Sequence, residues 1–149
     1  MTGFLLPCIV VIDMISVSEN EIFQIARKAC LASRIFEDYA HDLGQAIVLI
    51  HGKGMDGCKE LELMLSEKKF HNHEKPKISS SQLLIERLHP IKTAISVIDW
   101  LLAEENRKAS IIEGTDFPII ISALLQRATI GYGGYFHIRD CKKKLMIKI

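Results

Sequence analysis

The chain is short of cysteine, short of net charge and without a long apolar run, and each shortage removes a class of protein. Its four cysteines, Cys8, Cys30, Cys58 and Cys141, never approach a C-x-x-C spacing, which excludes a zinc ribbon or a thioredoxin-type redox motif. Thiols so dispersed read as small buried hydrophobes of a reducing compartment, so a cytoplasmic setting is expected. A net charge of +1 leaves no global field to recruit nucleic acid or a lipid surface, and any basic site must be local. The one apolar stretch near the start, Phe4 to Ile12, is too short to span a bilayer. It also lacks the basic flank and small-residue cleavage site of a signal peptide, so no membrane association is expected. No internal repeat and no low-complexity tract occurs, and no motif calls for a cofactor.

What is present suits one domain. At 149 residues, with 48% apolar and 25% charged side chains, the chain can bury roughly 70% of its unfolded surface without disulfides or metals. Cys8-Ile9-Val10-Val11-Ile12 reads as a buried strand ending at Asp13. Ser18-Glu19-Asn20-Glu21 is a capping box. It opens a long helix whose stripe runs through Ile22, Ile25, Ala29, Ala32, Phe36, Tyr39 and Leu43 to a stop at Gly44. Ala26, Ala29, Cys30 and Ala32 would let that helix approach a neighbour closely. Ala46-Ile47-Val48-Leu49-Ile50 reads as a second buried strand, completing a βαβ unit.

Downstream, a short helix is expected near 58–67 and a polar, flexible loop near 68–81. Serines 79–81 would cap a helix through Leu88, which Pro90 interrupts and which resumes over 91–105. A short strand at 109–112 and a helix opened by Pro118 and running to about Ile130 follow. Residues 135–139 and 144–149 alternate as a terminal hairpin. The expected fold is therefore α/β, a mixed sheet with an N-terminal βαβ unit and a C-terminal β-hairpin, in a single domain.

Ligands of open α/β sheets bind beyond the carboxyl ends of the strands, and His51-Gly52-Lys53-Gly54 would stand at such an end. Glycines there can turn backbone N–H groups inward as an anion nest, with Lys53 adding a point charge and His51 an acid, base or hydrogen-bond donor. The plainer reading is a glycine-rich turn with a solvated lysine. The spacing fits neither a P-loop nor G-x-G-x-x-G. Asp13, ending the first strand, would lie beside His51 if the two strands are parallel neighbours. Lys68, Lys69, Lys75 and Lys77 make the following loop locally basic, with Phe70 able to stack on a base. His71, His73 and Glu74 are a sparse metal-ligand set, with a solvated loop as the simpler account, so no metal is expected.

Three resemblances add expectations. His89-Pro90-Ile91-Lys92-Thr93 resembles the phospho-acceptor box of histidine kinases, and Ala123 to Arg139 the ATPase half, against the reading of a helix kinked by proline. The segment Val10 to Glu62 resembles the small subunit of the KEOPS complex, on Ile12-Asp13, then Ala29, Ala32 and Arg34, then Asp42-Leu43-Gly44, then Ile47 and Leu49. That resemblance covers about a third of the chain and lacks the family's serine-glycine turn, where His51 to Met55 stand. It implies docking on a protein partner and recruitment of tRNA. His51-Gly52-Lys53-Gly54 is similar to the His-Gly-Lys-Gly of Smr-type nuclease domains, without their earlier histidine.

The expected function is thus a non-catalytic accessory protein for tRNA modification, with no cofactor. It would dock on a partner protein and contact RNA through His51, Gly52, Lys53, Gly54, Lys68 and Lys69. The alternatives are an Smr-like nuclease or other phosphate-binding enzyme using Asp13 and His51, and a self-associating module without ligand.

Overall fold

The computed structural model describes residues 16–67, 77–79, 82–132, 137–141 and 144–148. The first helix begins as its capping box dictates. Ser18 Oγ accepts from the Glu21 N–H at 3.2 Å, and the Glu21 carboxylate accepts from the Ser18 N–H at 2.8 Å, satisfying two of the orphan donors of the first turn. Helix α1 spans Glu19–Ala32 and then stops, twelve residues before the expected stop at Gly44. The break uses neither glycine nor proline. Arg34 takes a left-handed φ of 62°, the Ile35 N–H turns back to the Cys30 carbonyl, and Ile35 itself is buried. The Arg27 guanidinium donates to the Glu37 carboxylate across the corner, through Nε at 2.8 Å.

Helix α2, Glu37–Gly52, absorbs the segment 46–50, which the sequence reading places in a strand. The second strand of the expected N-terminal βαβ unit is thus helix, and the unit does not form there; its first strand, expected at 8–12, lies outside the described residues. A five-residue apolar run is compatible with either state, and here Ala40, Leu43, Ile47 and Ile50 fall three and four apart on one buried stripe, the spacing of a helix. Gly44 is no stop signal. It lies inside α2 where a Cβ would stand 2.9 Å from the Phe23 ring, so its missing side chain lets α1 and α2 cross closely. Ala26 and Cys30 are fully buried on the facing side of α1, the close approach that its small residues foretell.

Helix α3, Gly57–Leu65, is capped by Asp56, whose carboxylate accepts from the Lys59 N–H at 3.0 Å. Strand β1, Lys77–Ser79, pairs antiparallel with β2, Gln82–Leu88. The expected helix over 79–88 is therefore strand. Its Leu, Glu and Arg content favours helix, but Leu83 and Ile85 alternate inward between two paired neighbours, and tertiary pairing overrides propensity. A wide, π-type turn at Pro90–Ala94 leads into α4, Ile95–Leu102, close to the expected restart of a helix after Pro90. Strand β3, Lys108–Thr115, runs parallel to β2, so a βαβ unit does exist, formed by β2, α4 and β3. Helix α5 is Pro118–Tyr132, with proline in its first turn.

Strands β4, His137–Cys141, and β5, Lys144–Lys148, form the expected antiparallel terminal hairpin. The hairpin joins the sheet through β5, antiparallel to β3, in the order β1-β2-β3-β5-β4. The α/β class, the mixed sheet and the hairpin agree with the sequence reading. Helices α1, α2 and α5 stack in succession, and α5 rests on the turn before α4. The core gathers Leu43, Ile47, Ile50, Met64, Leu83, Leu88, Leu101, Ile111 and Ile120, all almost fully buried. Burying each is worth roughly 1.5–3 kcal/mol of transfer free energy.

Candidate functional site

The stretch from His51 to Gly54 closes a helix instead of following a strand. The Gly54 N–H donates to the His51 carbonyl at 2.9 Å and the Met55 N–H to the Ile50 carbonyl at 3.3 Å, with Gly54 left-handed at φ 78°. These are the two bonds of a Schellman motif, and glycine at its C′ position is the expected residue. The N–H groups of Lys53, Gly54 and Met55 are all spent on α2 carbonyls, so the backbone offers no anion nest here. The strand-end premise for the site is corrected on the same ground: this is the carboxyl end of a helix, whose partial charge is negative.

Each side chain of the stretch has its own place. His51 is half-buried, and its Nε2 accepts from the Cys58 N–H at 3.2 Å, which leaves the proton on Nδ1 and ties α2 to the start of α3. Lys53 is exposed and reaches across to α5, where its ammonium donates to the Gln126 side-chain oxygen. Gly52 is exposed, with open space where a Cβ would stand. Asp13, Lys68 and Lys69 lie outside the described residues, as do Phe70, His71, His73, Glu74 and Lys75. With 46–50 helical, His51 stands at no strand end that a parallel neighbour could bring beside Asp13. Lys77 is in β1.

A denser polar cluster lies where parallel-sheet ligand sites are found, at the carboxyl ends of β2 and β3. His89 follows β2 directly and is 3% exposed. Its Nδ1 accepts from the N–H groups of Ile91 and Lys92, at 3.2 and 3.4 Å, capping the turn before α4. Its Nε2 meets the Glu67 carboxylate at 3.1 Å, and the edge of its ring packs against Phe117, which takes a left-handed φ of 52°. Thr93 accepts from the His89 N–H at 2.8 Å and donates to the Arg87 carbonyl at 3.1 Å. Arg87 pairs with Asp116 at 2.5 Å, while the Asp116 N–H donates to the Leu88 carbonyl, locking the end of β3 to the end of β2.

The electrostatics follow from these contacts. Burial pulls His89 below its ordinary value, against the opposing pull of Glu67. The hydrogen bond from Arg87 holds Asp116 below the usual carboxylate range. His89 is thus a neutral imidazole fixed as the Nε2–H tautomer, and both nitrogens are occupied within the protein. The resemblance to a phospho-acceptor box met a strand-to-helix junction, not a kinked helix. The signal in the sequence was the His-Pro pair itself, an N-cap followed by a first-turn proline.

The remaining chemistry is muted. Burial pushes the Cys30 thiol up to about 12, and burial together with Asp56 raises Cys58, so neither is a ready nucleophile. Among the described residues no group of three or more His, Cys, Asp or Glu side chains could hold a metal ion. Among them, too, no helix is long and apolar enough to cross a membrane.

Among the described residues the most exposed large apolar side chain is Phe36, 73% accessible at the α1–α2 corner, and Ile25 on α1 is 57% accessible. Along α1 the outward strip is Glu21, Ile25, Lys28 and Ala32, at steps of four, three and four, and it leads to that corner. The sequence reading assigns Ile25, Ala32 and Phe36 to one apolar stripe of a single long helix; in the structure all three are exposed. Residues 17–97, more than half of the chain, match the family model described as "Protein of unknown function (DUF3726)", and the chain belongs to that family. No curated protein and no solved structure matches it.

Proposed function

We propose that this member of the DUF3726 family is a non-catalytic accessory protein that docks on a protein partner through the outer strip of α1 and the α1–α2 corner. The observation that carries the reading is Phe36. The fold holds this ring outward: the neighbouring Ile35 is buried, Arg34 is left-handed, and the Arg27–Glu37 ion pair braces the turn. An aromatic side chain anchored on a rigid corner loses little entropy when a partner covers it, which is why such residues serve as interface anchors. Ile25, on the outer strip of α1, is a second exposed apolar side chain.

RNA contact, the second half of the reading, rests on the exposed Lys53 together with Lys68 and Lys69. The nuclease reading has less support, because the His51 Nε2 lone pair is committed to the Cys58 N–H.

A photo-reactive benzoyl-phenylalanine placed at position 36 tests the docking surface in cells that make the protein. The expected result is a discrete crosslinked product with a different protein, lost on Ile25→Asp and absent when the probe sits at Glu62 on α3. Crosslinking only to a second copy would favour the self-associating module, and no product above the Glu62 control would remove the surface. A gel shift with bulk tRNA at two salt concentrations tests the RNA half. Binding that weakens with salt and with Lys53→Ala supports it, and no binding at low salt removes it.

A further inference from the structure

Lys53 does more than end α2. It also lines a cavity of about 150 Å³ between the last turn of α2 and the first turns of α5, while its ammonium donates to Gln126 on the same helix α5. The walls are apolar, formed by Leu49, Ile50, Met55, Ile119 and Ala123, and the two polar lining residues are Lys53 and Ser122. The shape comes from register. Ile119, Ser122, Ala123 and Gln126 recur at steps of three, one and three on one face of α5, which packs on α2. The Schellman turn, with the Met55 N–H on the Ile50 carbonyl, brings Met55 to the third side.

Among the described residues no acidic group pairs with the Lys53 charge, and its one partner there is the neutral Gln126 side chain. An apolar pocket with one cation and one hydroxyl in its lining is the layout of a site for a small amphiphile. Size limits the apolar part, because a cavity of roughly this volume accommodates a benzene-sized body. Charge limits the head. A single lysine balances one negative charge, and the carboxyl end of α2 beside it penalises a dianion more than a monoanion.

We propose that the cavity between α2 and α5 binds a small monocarboxylate with an apolar body of ring size. The carboxylate takes the place of the Gln126 oxygen on the Lys53 ammonium, Ser122 donates a second hydrogen bond, and the body fills the space between Ile50 and Ala123. The site is separate from the docking corner at Phe36; it shares Lys53 with the proposed RNA contact, and benzoate binding is read without RNA, so either can fail alone.

The probe is benzoate, with benzyl alcohol as its neutral counterpart and phenyl phosphate as the dianion, followed by saturation-transfer NMR on the full chain. Benzoate is expected to bind with Kd of roughly 0.1–1 mM, and benzyl alcohol about five- to tenfold more weakly. Lys53→Met keeps the stem and should bring benzoate down to the level of the alcohol. Ser122→Phe, at an exposed lining position, should block both, with the melting midpoint of the variant confirming that it folds. Failure to see saturation transfer with benzoate at about 10 mM would overturn the site. Equal binding of benzoate and the alcohol, unchanged by Lys53→Met, would overturn the role of the charge, and tighter binding of phenyl phosphate the choice of a monoanion.

Discussion

His89 and Glu67 meet at 3.1 Å where the end of β2 passes the segment after α3, and the contact fixes which nitrogen of the imidazole carries the proton. Glu67 takes the Nε2–H, so Nδ1 is free to accept the two backbone N–H groups that open the turn before α4. Adding a second proton would have to occur at Nδ1, and it would convert the cap from acceptor to donor.

A pH dependence of stability follows. Burial lowers the folded pKa of His89, even with Glu67 opposing it and with Lys92 and Asp116 also facing the ring. The unfolded chain therefore takes up the proton first, at about 6.5. The stability from neutral His89 is fully present above that value and is lost as the pH falls below it toward the folded pKa. Urea midpoints measured between pH 7.5 and 5 should decline in the wild type and decline less in His89→Asn, which keeps a capping oxygen but does not titrate. Parallel declines in the two proteins would assign the effect elsewhere.

Gly52 and Gly54 should respond to alanine with opposite signs. Gly52 is helical with open space around its missing side chain, so Gly52→Ala should raise stability by about 0.5–1 kcal/mol. Gly54 is left-handed at φ 78°, so Gly54→Ala should cost about 1 kcal/mol. Thermal denaturation of the pair distinguishes a helix-capping glycine from a loop in which both glycines serve a ligand.

Gly57 lies at the junction of α2 and α3, where an added Cβ would stand 2.9 Å from the Ile47 carbonyl oxygen and 3.1 Å from Ile50. Backbone cannot step aside as a side chain can. Gly57→Ala should destabilise by about 1–3 kcal/mol in chemical denaturation, despite the better helix propensity of alanine.

Arg34 holds the α1–α2 corner in a conformation that costs an L-residue about 1–2 kcal/mol, and its side chain is exposed. Arg34→Gly should therefore stabilise the protein, by up to about 1 kcal/mol after the extra entropy of the unfolded chain is subtracted. A fall in the melting midpoint would show that the arginine side chain holds the corner by contacts of its own.

What the sequence alone determined was local. The Ser18 capping box, the proline opening of α5 and the terminal hairpin depend on neighbours within a few residues, and all are present in the structure. Side-chain chemistry and short-range hydrogen bonding suffice to specify them. What only the tertiary structure decided was how apolar runs are used. Residues 46–50 carry strand-like composition, yet they pack as helix because Gly44 lets α2 lie against Phe23 and continue. Residues 82–88 carry helix-like composition, yet they extend because β1 and β3 supply backbone partners on both sides. The same distinction governs the sites. His51 to Gly54 is a helix end, since its N–H groups find the carbonyls of α2, while Lys53 gains its cavity from α5, more than sixty residues away in the chain. Such pairings are free-energy differences between distant partners, and no window of sequence contains both members.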